Sequence, residues 1–327
     1  MKIGKVNETI LKRSVFKQLH KKRDEVILGP SVGEDCAMVT FSEDELCVIS
    51  TDPITGTTKD IGSLAVHVTI NDLAANGSEP IGILLTILLP EGFAEEKLKA
   101  IMTDVNRTCD ELGIDVLGGH TEVTRAVNQP IINVTGIGKA NKNTRVINSE
   151  AGPDMDVIMT KWAGVEGTAI IAAEKEVELR AKYHGAFVDR ALAYKSYISV
   201  LPESRIALRF NAAAMHDATE GGVFGALWEL GASANLGLEI RLDAIPIRQE
   251  TIEICEHFNM NPYKLISSGV LLIISPDGQA MTKALIEAGI DASIIGKTTE
   301  AIQRVVIGED TVRSLEPAKA DELYKVI

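Results

Sequence analysis

Met215-His216-Asp217-Ala218-Thr219-Glu220-Gly221-Gly222 sets an acid and a hydroxyl ahead of two adjacent glycines, and the apolar positions Val223, Leu227 and Leu230 follow at helical spacing. The pattern predicts a helix whose N-terminus presents bare glycine backbone, a seat for phosphate. An ordinary helix start capped by Thr219 or Glu220 gives the same pattern. Four other stretches place acids at element ends beside glycine or small polar residues: Gly33-Glu34-Asp35-Cys36-Ala37, Ser50-Thr51-Asp52, Asn71-Asp72 and Gly118-Gly119-His120-Thr121-Glu122. Each alone is the composition of a turn. Together they suit Mg²⁺, which takes oxygen ligands from one or two carboxylates along with phosphate and water. The chain has neither a P-loop nor a strand-linked Gly-x-Gly-x-x-Gly, so any ATP site uses another architecture.

Around these stretches β and α signals alternate. Leu46 to Ser50 reads as a buried strand that delivers Asp52 at its tip, and Gly62 to Ala75 as a helix. From Phe93 to Leu112, Ala94, Leu98, Ile101, Val105, Cys109 and Leu112 recur every three or four positions, and Gly113 follows as a C-cap. Strands are expected at Ile83 to Leu89, Asp115 to Leu117 and Ile131 to Ile137. In the second half strands are expected at Val157 to Thr160, Val270 to Ser275, Ala292 to Ile295 and Arg304 to Ile307. Helices are expected from the Gly164-Val165-Glu166-Gly167 turn through Ala173, from Gly185 to Leu201, from Gly222 to Ala234 and from Met281 to Ala288. This order lacks the strict succession of a doubly wound parallel sheet. An α+β (mixed α/β) fold follows, with two domains, 1–150 and 151–327.

The net charge of −13 opposes binding to a nucleic-acid backbone, and no basic stripe offsets it. The most apolar stretch, Ile81 to Pro90, is too short to span a bilayer, and Met1 to Glu8 lacks the features of a secretory signal, so a cytoplasmic protein is expected. Cys36, Cys47, Cys109 and Cys255 form no Cys-x-x-Cys pair and read as reduced, mostly buried thiols. Lys161 could meet a phosphate, an exposed lysine being its ordinary reading. His67 is ordinarily a packed helical residue, whereas His120, at a strand end between glycines and Thr121-Glu122, is the better candidate for chemistry.

The ordered series, completed by Val68-Thr69-Ile70-Asn71-Asp72-Leu73-Ala74 and Ser267-Ser268-Gly269, resembles the superfamily of aminoimidazole ribonucleotide synthetase, thiamine-monophosphate kinase, selenophosphate synthetase and hydrogenase-maturation protein HypE. HypE and its relatives are nearest in texture. The resemblance implies a PurM-like fold: an N-terminal sheet domain that forms a barrel-like interface with a second copy, and a C-terminal α+β domain. It implies ATP and Mg²⁺ as cofactors, with ATP lying between the domains. Asp35, Asp52, Asp72 and Asp217 are implied as metal and phosphate residues. Asn71, Gly118, Gly119, Thr121, Thr219, Gly221 and Gly222 join them around the nucleotide. His120 stands where HypE-like sequences usually carry Asp, so His120 and Glu122 are the catalytic candidates. HypE carries its carbamoyl group on a C-terminal cysteine, which Leu323-Tyr324-Lys325-Val326-Ile327 does not offer. No cysteine precedes Cys36, unlike the N-terminal active-site residue of selenophosphate synthetases. The implied function is ATP-dependent phosphoryl transfer to, or activation of, an oxygen on a small-molecule or protein-borne acceptor. The alternative is a non-catalytic ATP-binding maturation or regulatory partner.

Overall fold

The computed structural model describes residues 4–5, 10–20, 22–28, 38–54, 60–317 and 320–327. Asp35 and the rest of Gly33 to Ala37 lie outside the described residues. Chain contacts define two units, Met1–Leu73 with Ser78–Asn143, and Ala74–Gly77 with Thr144–Ile327.

The first unit holds a five-stranded sheet of β1 (Gly4–Lys5), β4 (Glu45–Ile54), β5 (Glu79–Pro90), β6 (Asp115–Thr124) and β7 (Ile131–Asn141), in the spatial order β1-β6-β5-β7-β4. A short hairpin, β2 (Val26–Leu28) with β3 (Met38–Val39), forms its own ladder and packs against the sheet, Val26 and Val39 clustering with Ile81, Leu84, Leu117 and Ile137. Only the β5–β6 pairing is parallel. Helix α1 (Ile61–Ala75) has a single charged residue, Asp72, and is buried on nearly all sides, as an apolar helix must be. It crosses β7 where Gly136 leaves room for Leu73 and Thr69. Helix α2 (Glu95–Leu112) instead buries one stripe, Leu98, Ile101, Met102, Val105 and Cys109, and ends on Gly113 at φ 68°. The opposite sheet face stays partly open. On β7 the buried residues Ile132, Val134 and Gly136 alternate with half-buried Ile131, Asn133, Thr135 and Ile137.

The expected strand at Asp115 to Leu117 continues to Thr124, because its glycines fit the sheet instead of ending it. The register shifts after Ile83, pairing Leu84 with Gly118, and a Cβ at Gly119 (φ 148°) would lie 1.9 Å from the Leu85 carbonyl oxygen.

The second unit holds seven strands: β8 (Asp156–Thr160), β9 (Ala214–Asp217), β10 (Gly237–Arg241), β11 (Leu271–Ser275), β12 (Ala292–Thr299), β13 (Arg304–Ile307) and β14 (Val312–Ser314). Their order is β14-β13-β10-β12-β8-β11-β9, antiparallel except for β10–β13. Its helices are α3 (Val165–Glu174), α4 (Glu176–Lys182), α5 (Gly185–Ala193), α6 (Leu201–Arg209), α7 (Gly222–Ser233), α8 (Gln249–His257) and α9 (Gly278–Glu287). A core cluster joins Ile171, Leu179, Val188, Ile254, Cys255, Leu265 and Leu323. The helix expected from Gly185 to Leu201 breaks after Ala193 into a 3-10 turn, and α6 starts afresh with Pro202 in its first turn, where the missing N–H costs nothing. With helices and mixed sheets in both units, the architecture is the α+β class the sequence implies.

Candidate functional site

Strand β4 is the edge of its sheet, and its even-numbered residues face α1. There the Ser50 hydroxyl donates to the Asp72 carboxylate, near the end of α1. Asp52 follows two residues on along the same strand face, about 7 Å by strand rise. Asn71, next to Asp72, is fully buried. Asp52 Oδ2 is shielded from solvent and has no hydrogen-bond partner among the described residues. An unmatched buried carboxylate oxygen is costly unless a cation or donor meets it. A hard cation with oxygen ligands fits this donor set.

The open face carries a different pair. His120 Nε2 lies 3.1 Å from Glu122 Oε2. Register places His120 beside Thr86, Thr86 beside Asn133, and the Asn133 amide donates to Thr51 Oγ1 at 3.2 Å. Thr121 points the other way and is buried, Gly118 sits beside Leu84, and Gly119 is accounted for by its approach to Leu85. The sheet therefore groups Asp52, Asn71 and Asp72 on its helix side and leaves His120 and Glu122 on the other.

In the second unit Asp217 is the last residue of β9, buried and opposite Leu271. The Ala218 amide donates to the Val270 carbonyl at 2.9 Å, and Thr219 O accepts from Gly222 N–H at 3.1 Å and Ser267 N–H at 3.3 Å. Gly221 and Gly222 both take left-handed φ, 82° and 62°, and a Cβ on Gly222 would meet the Leu265 and Tyr263 carbonyl oxygens at 2.6 and 2.7 Å.

The capping reading of this helix start does not hold, and its Gly221 amide is engaged within the chain. No side chain of Thr219 or Glu220 caps α7, and the Gly221 N–H donates to Asp321 Oδ2 at 2.7 Å. Asp321 also accepts from Ile266 N–H at 3.2 Å and Leu323 N–H at 2.8 Å, while Tyr324 OH donates to Glu220 Oε1 at 2.5 Å. Burial raises the Asp321 pKa against the opposing pull of these amides. Glu166, in the first turn of α3, is buried against the Ser268 amide at 3.3 Å, and burial pushes its pKa up to about 7.

Lys161 is not an exposed lysine. It is buried, with Nζ 2.5 Å from Glu203 Oε1 and donating to Ser199 O at 2.6 Å and Gly269 O at 2.8 Å. Two of the thiols behave as read: Cys109 and Cys255 are buried. Cys47 is exposed instead, because it points from the open face of the edge strand. No helix among the described residues is long and apolar enough to cross a membrane.

Of the residues engaged here, Glu166 and Asp321 escaped the sequence reading. Glu166 sits in the Gly164-Val165-Glu166-Gly167 stretch that was visible, but nothing local marks Asp321, whose partner lies one hundred residues earlier.

This chain is 29% identical over 313 residues to a Methanocaldococcus jannaschii protein named for hydrogenase expression/formation, covering 93% of this chain and 91% of that protein. It is 28% identical to the carbamoyl dehydratase HypE of Rhizobium leguminosarum bv. viciae, over 72% of this chain and 67% of that one. A crystal structure of hydrogenase maturation protein HypE in complex with ATP superposes with a TM-score of 0.82 at 20% identity, covering 99% of this chain and 97% of that one. At that identity the likeness establishes the fold. Residues 33–140 match the N-terminal domain of AIR synthase related proteins and residues 152–308 the C-terminal domain, and the chain belongs to the AIR synthase related protein family.

Proposed function

We propose that this chain is a Mg²⁺-dependent, ATP-using enzyme of HypE type that activates an oxygen on a small-molecule or protein-borne acceptor. The observation that carries the reading is Asp52 Oδ2, buried with no hydrogen-bond partner among the described residues, on the strand face where Ser50 holds the Asp72 carboxylate. Asp52 and Asp72 would hold Mg²⁺ in the N-terminal unit, where the ion would neutralise phosphate charge. Asn71 lines the same place. Asp35 joins them in this reading, and Asp217 is the acid of the second unit assigned to the same task. The relatives named carbamoyl dehydratase and the HypE–ATP crystal structure support the assignment. In the transfer itself the γ-phosphoryl group passes to the acceptor oxygen, ADP leaves, and the acceptor's proton passes to a base.

The open face of the first unit carries Ile49, Leu88 and Ile131, while Leu84 and Ile137 on the same face pack in a cluster with Val26, Val39 and Phe41; Ile49 is 64% exposed. We assign this face to a homodimer contact, which would also cover His120 and Glu122. Because the sheet separates that pair from Asp52 and Asp72, a second reading stands: a non-catalytic ATP-binding maturation or regulatory partner. Calorimetric titration with ATP, with and without Mg²⁺, tests the binding. Asp52→Asn and Asp72→Asn should each weaken Mg-ATP binding about tenfold or more and leave any Mg-free binding unchanged. Unaltered Mg-ATP affinity in both variants removes these acids from the site. ADP release on addition of an acceptor separates the enzyme from the binder.

A further inference from the structure

Lys161 follows β8 with a left-handed backbone, φ 53°, and its ammonium points into the second unit. It forms an ion pair with Glu203 of α6 and donates hydrogen bonds to the Ser199 carbonyl and the Gly269 carbonyl. Gly269 belongs to a turn closed by Val270 N–H on Ser267 O at 3.0 Å. At φ 107°, with the Tyr197 carbonyl oxygen 2.4 Å from where a Cβ would stand, only glycine fits there. The two ends of this turn grip the strand edge that carries Asp217. Val270 O accepts from Ala218 N–H, Ser267 N–H donates to Thr219 O, and Leu271 pairs with Asp217 itself. A rigid chain of contacts thus runs from the ammonium through Gly269 and Val270 to Asp217-Ala218-Thr219.

Burying an ion pair is a poor way to gain stability, since apolar side chains of similar volume do as well or better. What an ammonium supplies and a methyl group cannot is a directed bond to a particular carbonyl. We propose that Lys161, neutralised by Glu203, is a positioning residue that fixes the Asp217-Ala218-Thr219 edge through the Ser267–Val270 turn; its effect on nucleotide rests on the function proposed above.

The test is the double variant Lys161→Met/Glu203→Met, which removes both charges and keeps most of the volume. It should melt within a few degrees of the wild type, yet bind Mg-ATP about tenfold more weakly. Amide hydrogen exchange, measured without nucleotide, should speed up about tenfold at Ala218 and Ser267 while amides of β10 and β12 keep their protection. Glu203→Gln leaves the Lys161 bonds to both carbonyls in place and should keep the slow exchange at Ala218. Wild-type protection at Ala218 and Ser267 in the double variant would overturn the proposal. A double variant that does not fold would overturn it equally, because the pair would then hold the fold and not the edge. Should the wild type bind no Mg-ATP, the nucleotide reading fails by itself, and the exchange rates still decide the role of Lys161.

Discussion

Gly221 donates its backbone N–H to the carboxylate of Asp321 at 2.7 Å, so the first amide of a Gly-Gly helix start is satisfied by a residue one hundred positions downstream. Both Asp321 oxygens act only as acceptors, for three amides in all. Replacing Asp321 by Asn puts an NH₂ group against at least one of those amides. Urea denaturation should show a loss of about 1–3 kcal/mol, the cost of leaving a buried donor unmatched. No loss beyond measurement error would mean that water replaces Asp321 at the turn.

How much of this was legible depends on how local each cause is. Helix α2 and its Gly113 cap could be read because one periodic stripe and one left-handed residue specify them without outside help. The reach of β6 through Gly118 and Gly119 could not, since those glycines answer to Leu84 and Leu85 on a neighbouring strand. The same holds for Lys161, whose burial depends on Glu203, Ser199 and Gly269 from three separate segments. The acids Asp52, Asp72 and Asp217 were visible as residue types at element ends. That Ser50 binds Asp72, and that His120 and Glu122 face the other side of the sheet, follows from pairing register, which a strand's own residues do not encode.

Glu166 makes stability depend on pH. Burial raises its folded-state pKa from the ordinary 4.5 to about 7, with Asp321 and Glu220 adding like charge. The folded state therefore binds this proton more tightly than the unfolded chain. Its contribution is fully present below pH 4.5 and is lost as pH rises through about 7. By linkage the swing is on the order of 3 kcal/mol. Glu166→Gln should flatten the stability profile between pH 4.5 and 7.5 in denaturant titrations. Burial raises the Asp321 pKa in the same direction. An unchanged slope would show that Glu166 titrates alike in both states.

The open sheet face makes a prediction about mass. If it pairs with a second copy, light scattering at micromolar concentration should report about twice the 35.2 kDa of one chain. Ile49→Lys places a charge at the most exposed apolar position of that face and should weaken the dimer at least about tenfold. Its melting temperature extrapolated to low concentration should stay near the wild-type value, since Ile49 is not part of the unit's own core. A wild type that scatters as one chain would rule out this face as a stable contact.

The thiols make the last prediction, and it concerns chemistry. HypE relatives are named carbamoyl dehydratases, and the sequence resemblance carries with it a group held on a thiol. To serve as a carrier, a cysteine must be reachable and must ionise. Cys255 is 1% exposed, packed in the core with Leu265 and Leu323, and burial pushes its pKa up to about 12; Cys109 is buried with its pKa raised to about 12 likewise. At pH 8 only about one such thiol in ten thousand is a thiolate. Cys47 alone among the described cysteines is exposed, on a strand face away from Asp52 and Asp72. Native treatment with iodoacetamide at pH 8, read by peptide mass spectrometry, should therefore label Cys47 and leave Cys109 and Cys255 unmodified until the protein is unfolded. Labelling of Cys255 in the folded protein would mean that its helix opens readily, and would make that thiol available as a carrier after all. Protection of both buried thiols would exclude Cys109 and Cys255 as carriers in the folded protein.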